Sequence, residues 1–132
     1  MRIFGTDPFE NGAALAFLVE IEALADSGTD DVERLLDAIR LPIRIGLDIE
    51  RDEVDDATAI AACALVSEPE RLRSALGTPP APGLAGLESL RQDAKTVVTR
   101  IARRGALRDR MRARLELTTW IEKMDALAAR LG

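Results

Sequence analysis

Apolar residues recur every three or four positions along most of this chain, and this spacing limits the folds that are open to it. A stripe of this kind covers one face of an α-helix, and that face has to be buried against other elements. Separate stripes run through residues 14–25, 32–39, 57–65 and 87–101, and two more follow before the end of the chain. Because 132 residues suit one compact domain, the pattern predicts an all-α, single-domain bundle of about six to seven helices over residues 1–132.

Capping residues and helix breakers place the ends of the first two helices. Asp7 and Asn11 compete as the N-cap of the first helix, which is expected to end at Ser27-Gly28. The second helix is predicted to begin within residues 29–31, a run of N-capping residue types. Pro42 is expected to end it, because proline lacks the N–H group that continues a helix.

A two-residue period follows this proline. The apolar side chains at positions 43, 45, 47 and 49 alternate with arginine, glycine and acidic residues, which is typical of a half-buried strand. The short run at residues 2–4 is the candidate mate. The prediction is therefore either a small β element formed by residues 2–4 and 43–49, or an extended segment that lies over the helices.

An alanine-rich third helix is predicted from about residue 52 to residue 66. Ser67 and Glu70 have the spacing of a capping box and are expected to open a short fourth helix, which Gly77 ends. The proline-rich residues 78–83 then form a stiff connector.

The last fifty residues divide by the phase of their apolar positions. The stripe of residues 87–101 would continue onto arginines, so a break is predicted near Gly105. A second stripe ends at Leu115, and a third is anchored by Trp120, the only tryptophan. Thr119 has a glutamate three positions later and is expected to cap the last helix.

The net charge of −5 hides a strong asymmetry. Residues 1–70 contain 17 acidic and 5 basic residues, whereas residues 71–132 contain 6 acidic and 13 basic residues. The two halves either neutralise each other inside the fold or present a charged face to a partner.

We call one run of carboxylates the acidic face. Its members are Asp48, Glu50, Asp52, Glu53, Asp55 and Asp56. The run does not match a calcium-binding EF-hand loop, because its sixth and twelfth positions are Glu53 and Ala59 instead of glycine and glutamate. It is interpreted either as a surface that docks a basic protein or as a helix N-terminus that favours its own dipole.

Seven arginines form what we call the arginine cluster. They are Arg100, Arg103, Arg104, Arg108, Arg110, Arg112 and Arg114. Such a cluster suits the phosphates of a nucleic acid, a carboxylate partner, or a solvated helix face. No aromatic residue is interleaved for base stacking and the chain is acidic, which makes nucleic acid the less favoured partner.

Reactive side chains are scarce. The chain has no histidine and a single cysteine, Cys63, which is expected to be a small buried core residue. These absences exclude histidine relays, thiolate zinc sites and an internal disulfide, so we expect no catalytic residue, no metal site and no cofactor. A pair of serine with Lys95 or Lys123, or two carboxylates that act together, stays open as a catalytic alternative. The N-terminus resembles no signal peptide and no stretch suits a membrane span, so a cytoplasmic location without membrane contact is predicted.

Three segments carry a resemblance to a known family. They are Gly-Thr-Asp-Pro-Phe-Glu-Asn at residues 5–11, the alanine-rich run at 59–66, and the tryptophan and leucines of the last helix. Together they resemble an uncharacterised bacterial family catalogued as domain of unknown function 4259. The chain departs from the family at Ala64, Gly105-Ala106 and Met111, where the family has a glutamate, a serine–glutamate pair and a tryptophan. The family has no established activity, so the resemblance implies an architecture and no mechanism.

These observations favour a non-enzymatic module that binds another protein. The specific form expected is an immunity-type or antitoxin-type inhibitor whose acidic face docks a basic partner. A nucleic-acid-associated regulator that uses Arg100–Arg114 is the first alternative. The second is a structural domain that forms oligomers through an exposed edge at residues 43–49.

Overall fold

The computed structural model describes residues 1–26, 32–72 and 82–132 of the chain. Its elements, in order, are α1 (Gly12–Asp26), α2 (Val32–Gly46), α3 (Glu53–Ser67), a 3₁₀ turn (Pro69–Leu72), α4 (Pro82–Glu88), α5 (Arg91–Arg103), α6 (Ala106–Ala113) and α7 (Leu117–Leu131). The predicted all-α bundle is confirmed, and the described ranges contain no named strand. The predicted ends and starts at Ser27-Gly28, residues 29–31, Gly77 and most of the connector lie outside the described residues.

Helix α3 forms the centre of the bundle. It packs against α1, α2, α5, α6 and α7, and its side chains from Asp56 to Val66 are buried except for the half-buried Thr58. The five alanines of this stretch allow neighbouring helices to approach closely on several sides. A helix that is apolar all round belongs in the core, so α3 is buried on more than the single face that its periodicity predicts. Cys63 is buried in it, as expected.

The strand predicted for residues 43–49 is wrong. Helix α2 continues through Pro42 to Gly46, and the chain then turns, leaving Ile49 86% exposed. A proline inside a helix costs about 3 kcal/mol. Burying Ile39 and Ile43 on one helical face against the core offsets that cost, because each large apolar side chain contributes about 1.5–3 kcal/mol. The edge through which copies of the chain were expected to associate is therefore not formed.

The N-terminal segment pairs with the start of α1 instead. Ile3 and Asn11 form an isolated antiparallel bridge, and the N–H of Gly12 donates to the carbonyl of Arg2 at 2.8 Å. Asn11 is the N-cap of α1, since its Oδ1 accepts from the N–H of Ala14 at 2.8 Å. Of the two competing caps, the structure uses the later one.

Ser67 does not open a helix. It is the last residue of α3, and its hydroxyl donates to the carbonyl of Ala64. The 3₁₀ turn that follows buries Leu72 against the core.

The C-terminal half follows the predicted phases with two exceptions. Leu87, Leu90, Ala94, Val97, Val98 and Ile101 are all buried, as are Leu107, Met111 and Trp120. The break near Gly105 is confirmed, because α5 ends at Arg103 and α6 begins at Ala106. Leu115 was expected in the core but is 93% exposed, since α6 ends two residues earlier and Leu115 turns the chain with a φ of 60°. Thr119 was expected as a cap, yet it lies inside α7, which begins at Leu117.

Candidate functional site

One carboxylate of the acidic face is buried against the junction between α5 and α6. Asp56 of α3 is fully buried, and its Oδ1 accepts from Nε of Arg51 at 2.6 Å. Its Oδ2 accepts from the backbone N–H of Leu107 at 3.2 Å, so the same side chain caps the beginning of α6. The Arg51 guanidinium also donates to the carbonyls of Asp48 and Arg104, at 2.5 Å and 3.1 Å. Asp56 therefore joins α3 to the α5–α6 junction.

Gly105 is required by this arrangement. Its φ of +145° lies in a region that L-residues with a side chain rarely adopt. A Cβ built at this position would lie 2.6 Å from Oδ2 of Asp56. The glycine thus lets the α5–α6 junction close over the carboxylate.

The other members of the acidic face have separate roles. Asp52 and Asp55 form a reciprocal capping box at the start of α3, with N–H to carboxylate distances of 2.7 Å and 3.1 Å. Glu53 lies 3.6 Å from the guanidinium of Arg110. Asp48 and Glu50 are exposed and form no ion pair within the described residues. The predicted face is therefore not one continuous free surface.

The arginines of the cluster also have separate contacts and do not form one continuous free surface. Arg108 donates to the carbonyl of Ala102 at 2.8 Å, and Arg114 pairs with Glu116 at 3.1 Å. Arg110 pairs with Glu53, as described above. Within the described ranges Arg112 is exposed and has no ion pair. Arg100, Arg103 and Arg104 line one cavity together.

These three arginines line a cavity of about 320 Å³, which we call the arginine pocket. Its other lining residues are Asp48, Ile49, Arg51 and Gly105. Arg51 was not predicted as a site residue. The signal that could have identified it is its position as the single base inside a run of carboxylates.

A second cavity, of about 330 Å³, lies between α1 and α2 with α3 beside it. We call it the apolar groove, and its lining residues are Phe17, Glu20, Ile21, Leu24, Ala38, Leu41, Pro42, Ile45, Asp55 and Thr58. Its only charged lining residues are the carboxylates Glu20 and Asp55. Leu41 is 60% exposed, and Val19 on α1 is 64% exposed. The sequence analysis missed this groove because it predicted that the second helix ends at Pro42 and that a strand follows. In the structure α2 continues through Pro42 and forms one wall of the groove.

Several groups considered for catalysis make other contacts, whereas Lys95 is exposed and forms no ion pair within the described residues. Lys123 pairs with Asp7 at 3.1 Å, and the hydroxyls of Ser67 and Ser89 donate to backbone carbonyls. Burial raises the pKa of the Cys63 thiol, which lies 3.5 Å from the carbonyl of Ala94.

Neither a metal site nor a membrane-spanning helix is present in the described residues. Within residues 1–26, 32–72 and 82–132, no group of three or more acidic or cysteine side chains is placed to hold a metal ion. No helix in these ranges has the length and apolar character that crossing a membrane requires.

Comparison with protein-family models, with curated proteins and with solved structures finds no match to this chain. The resemblance to domain of unknown function 4259 therefore stays a prediction.

Proposed function

We propose that this protein is a non-enzymatic binding module that docks a basic amphipathic helix of another protein in the apolar groove. The observation that carries the proposal is the lining of that groove, which is apolar apart from Thr58 and the two carboxylates Glu20 and Asp55. An amphipathic helix presents apolar side chains on one face and charged side chains beside it, which suits such a lining.

The apolar part of the groove supplies anchoring contacts. Leu41 and Ile45 of α2 stand opposite Phe17, Ile21 and Leu24 of α1. A helix laid in a groove is recognised through apolar residues spaced three or four positions apart. Leu41 is largely exposed, so covering it with an apolar side chain of the partner removes water from both.

Charge favours a basic partner. Helix α1 contains three carboxylates and no lysine or arginine. Asp55 belongs both to the acidic face and to the lining of the groove, so the two surfaces adjoin. Carboxylates at the rim attract a basic partner over several ångströms and raise its rate of association, while the apolar floor holds it.

The specific form we propose is an inhibitor of the immunity or antitoxin type. Such a protein needs a binding surface of defined charge and no reactive chemistry of its own. The carboxylates that line the apolar groove, and the contacts that engage Lys123, Ser67 and Ser89, support this form. It requires a basic partner whose activity is lost when the complex forms, which an activity assay of a candidate toxin with and without this protein measures.

A binding experiment with a designed probe tests the proposed module. The probe is a synthetic amphipathic helix of leucine and lysine, and its matched control is the same peptide with glutamate in place of lysine. We expect calorimetry to detect binding of the lysine peptide, which weakens as salt is raised, and weaker or no binding of the glutamate peptide.

Two variants of the groove and two matched controls locate the site. Leu41→Ser should weaken binding about tenfold by removing an apolar anchor, and Glu20→Lys should weaken it by reversing a rim charge. Leu115→Ser and Glu122→Lys change exposed residues outside the groove and should leave the affinity unchanged. Equal effects of all four substitutions, or equal binding of both peptides, would refute the proposal.

A further inference from the structure

The arginine pocket has a lining of opposite sign to the protein as a whole. Four arginines and one aspartate line it, in a chain whose net charge is −5. The charge of Arg51 is balanced by the buried Asp56. Arg100, Arg103 and Arg104 therefore leave an excess of positive charge around a space of about 320 Å³.

Arg51 forms a fixed wall of this pocket. Its side chain is nine-tenths buried, and three of the five N–H groups that a guanidinium carries are bound to Asp56 and to the carbonyls of Asp48 and Arg104. Its remaining N–H groups are held in a constant orientation. A pre-positioned donor loses less conformational entropy when it binds a ligand than a free surface side chain does.

The other arginines bring donors that the described protein uses little. Arg100 donates through Nη1 to the carbonyl of Leu47 at 2.8 Å. Neither Arg103 nor Arg104 makes a side-chain hydrogen bond or ion pair within residues 1–26, 32–72 and 82–132. Guanidinium groups bind phosphate oxygens in a bidentate geometry, and such charge-assisted bonds are stronger than those between neutral groups.

The remaining lining residues indicate more than a bare ion. Ile49 is largely exposed and offers apolar contact at the rim. Asp48 supplies a carboxylate, which repels phosphate but accepts hydrogen bonds from hydroxyl groups. We infer that the arginine pocket binds the phosphate group of a small hydroxylated phosphate ester, with Arg103 and Arg104 on the phosphate and Asp48 on a hydroxyl.

A nucleic acid fits this arrangement less well. Its successive phosphates need a track of free cations along the surface. Arg108, Arg110 and Arg114 are bound to other groups of the protein, so the described part of the cluster provides one pocket instead of a track.

Calorimetric titration of the full chain tests the inference, with ribose 5-phosphate, inorganic phosphate and ribose as probes at equal ionic strength. We expect ribose 5-phosphate to bind more tightly than inorganic phosphate, and ribose not to bind. The double variant Arg103→Gln/Arg104→Gln should weaken binding of the ester about tenfold or more, because two charge-assisted contacts are lost. Arg112→Gln, which removes an exposed arginine outside the pocket, should have no effect.

Several outcomes would overturn the inference. One is the absence of binding to the wild-type chain, and another is an equal loss in the Arg112→Gln variant. Equal affinity for inorganic phosphate would refute the assignment to an ester. A single-stranded oligonucleotide that binds more tightly than ribose 5-phosphate, and depends equally on Arg112, would favour a nucleic-acid surface. Amide chemical shifts provide a second measurement, since the ester should perturb Ile49 and Gly105 before other residues.

Discussion

The guanidinium of Arg51 and the carboxylate of Asp56 form a buried ion pair, with Nε 2.6 Å from Oδ1. This pair links the two oppositely charged halves of the chain, because Asp56 also binds the N–H of Leu107 and Arg51 also binds the carbonyl of Arg104. Charge is neutralised between the two halves by other ion pairs, those of Glu53 with Arg110 and of Asp7 with Lys123. Arg51 and Arg104 also line the arginine pocket, so this junction and that proposed binding site share residues.

We expect Asp56→Asn to destabilise the protein by about 3–5 kcal/mol, because it leaves the buried Arg51 without its counter-charge. Urea denaturation measures the change in the free energy of unfolding. The control is Glu122→Gln, which alters an exposed carboxylate of α7 and should change stability by less than about 0.5 kcal/mol. Similar small effects for both variants would show that the pair is not a stabilising contact.

Gly105→Ala should cost about 1–3 kcal/mol, because the φ of +145° strains any residue that has a Cβ. The added methyl group would also collide with Asp56. Gly12→Ala is a matched control at the first position of α1, where the nearest atoms to a new Cβ are 3.8 Å away. That control should be neutral or stabilising by up to about 1 kcal/mol. Thermal unfolding of the two variants measures the contrast, and equal melting temperatures would contradict the prediction.

Gly46→Ala should destabilise the protein by about 1–3 kcal/mol through overpacking. A Cβ at this position would lie 2.6 Å from Cγ1 of Val97 on α5 and 3.1 Å from Cβ of Ala59 on α3. The double variant Gly46→Ala/Val97→Ala removes the closest atom, so we expect it to be more stable than the sum of the two single changes predicts. Denaturation of all four chains gives this coupling energy, and strict additivity would rule out the contact as the cause.

Cys63 should make stability depend on pH. Burial raises the pKa of its thiol, so above the ordinary thiol pKa of about 8.5 the unfolded chain ionises while the folded chain does not. The free energy of unfolding is therefore unaffected by this thiol below that pH. Above it, the free energy of unfolding decreases as the pH rises, by at most about 1.4 kcal/mol per pH unit for one group.

Urea denaturation of the wild type and of Cys63→Ala at about pH 7 and about pH 10 isolates this contribution. The wild type should lose more stability between the two pH values than the variant does. Its thiol should also react with an aromatic disulfide only when the protein is unfolded, whereas Ser89→Cys in the Cys63→Ala background should react when folded, because Ser89 is exposed. Rapid reaction of the native wild type would refute the buried thiol.

The predictions that held depend on local patterns. The stripe at residues 87–101, the break at Gly105 and the burial of Trp120 follow from side-chain periodicity and a glycine, which act over a few turns of helix. The burial of Cys63 was predicted from the alanine-rich sequence around it. Such patterns place apolar faces without any knowledge of the neighbours that cover them.

The predictions that failed concern residues whose structure depends on the elements packed against them. Pro42 is tolerated inside α2 because Ile43 and Gly46, which follow it, are buried against the core. This burial offsets the cost of a proline inside a helix. The sequence shows the proline but not the helices that bury its neighbours. Leu115 has the spacing of a buried position in its stripe. The helix ends before it, however, and its side chain is exposed.

Helix content and most core positions were therefore readable from residues a few places apart. The partners of the charges were not, because Arg51 binds the carbonyl of Arg104 and Asp56 binds the N–H of Leu107, each more than fifty positions further along the chain. Spacing along a helix does not encode which surfaces the packing brings together. Whether a charge remains free to bind a partner depends on that packing, since an ion pair or a hydrogen bond forms only between groups that lie within a few ångströms of each other.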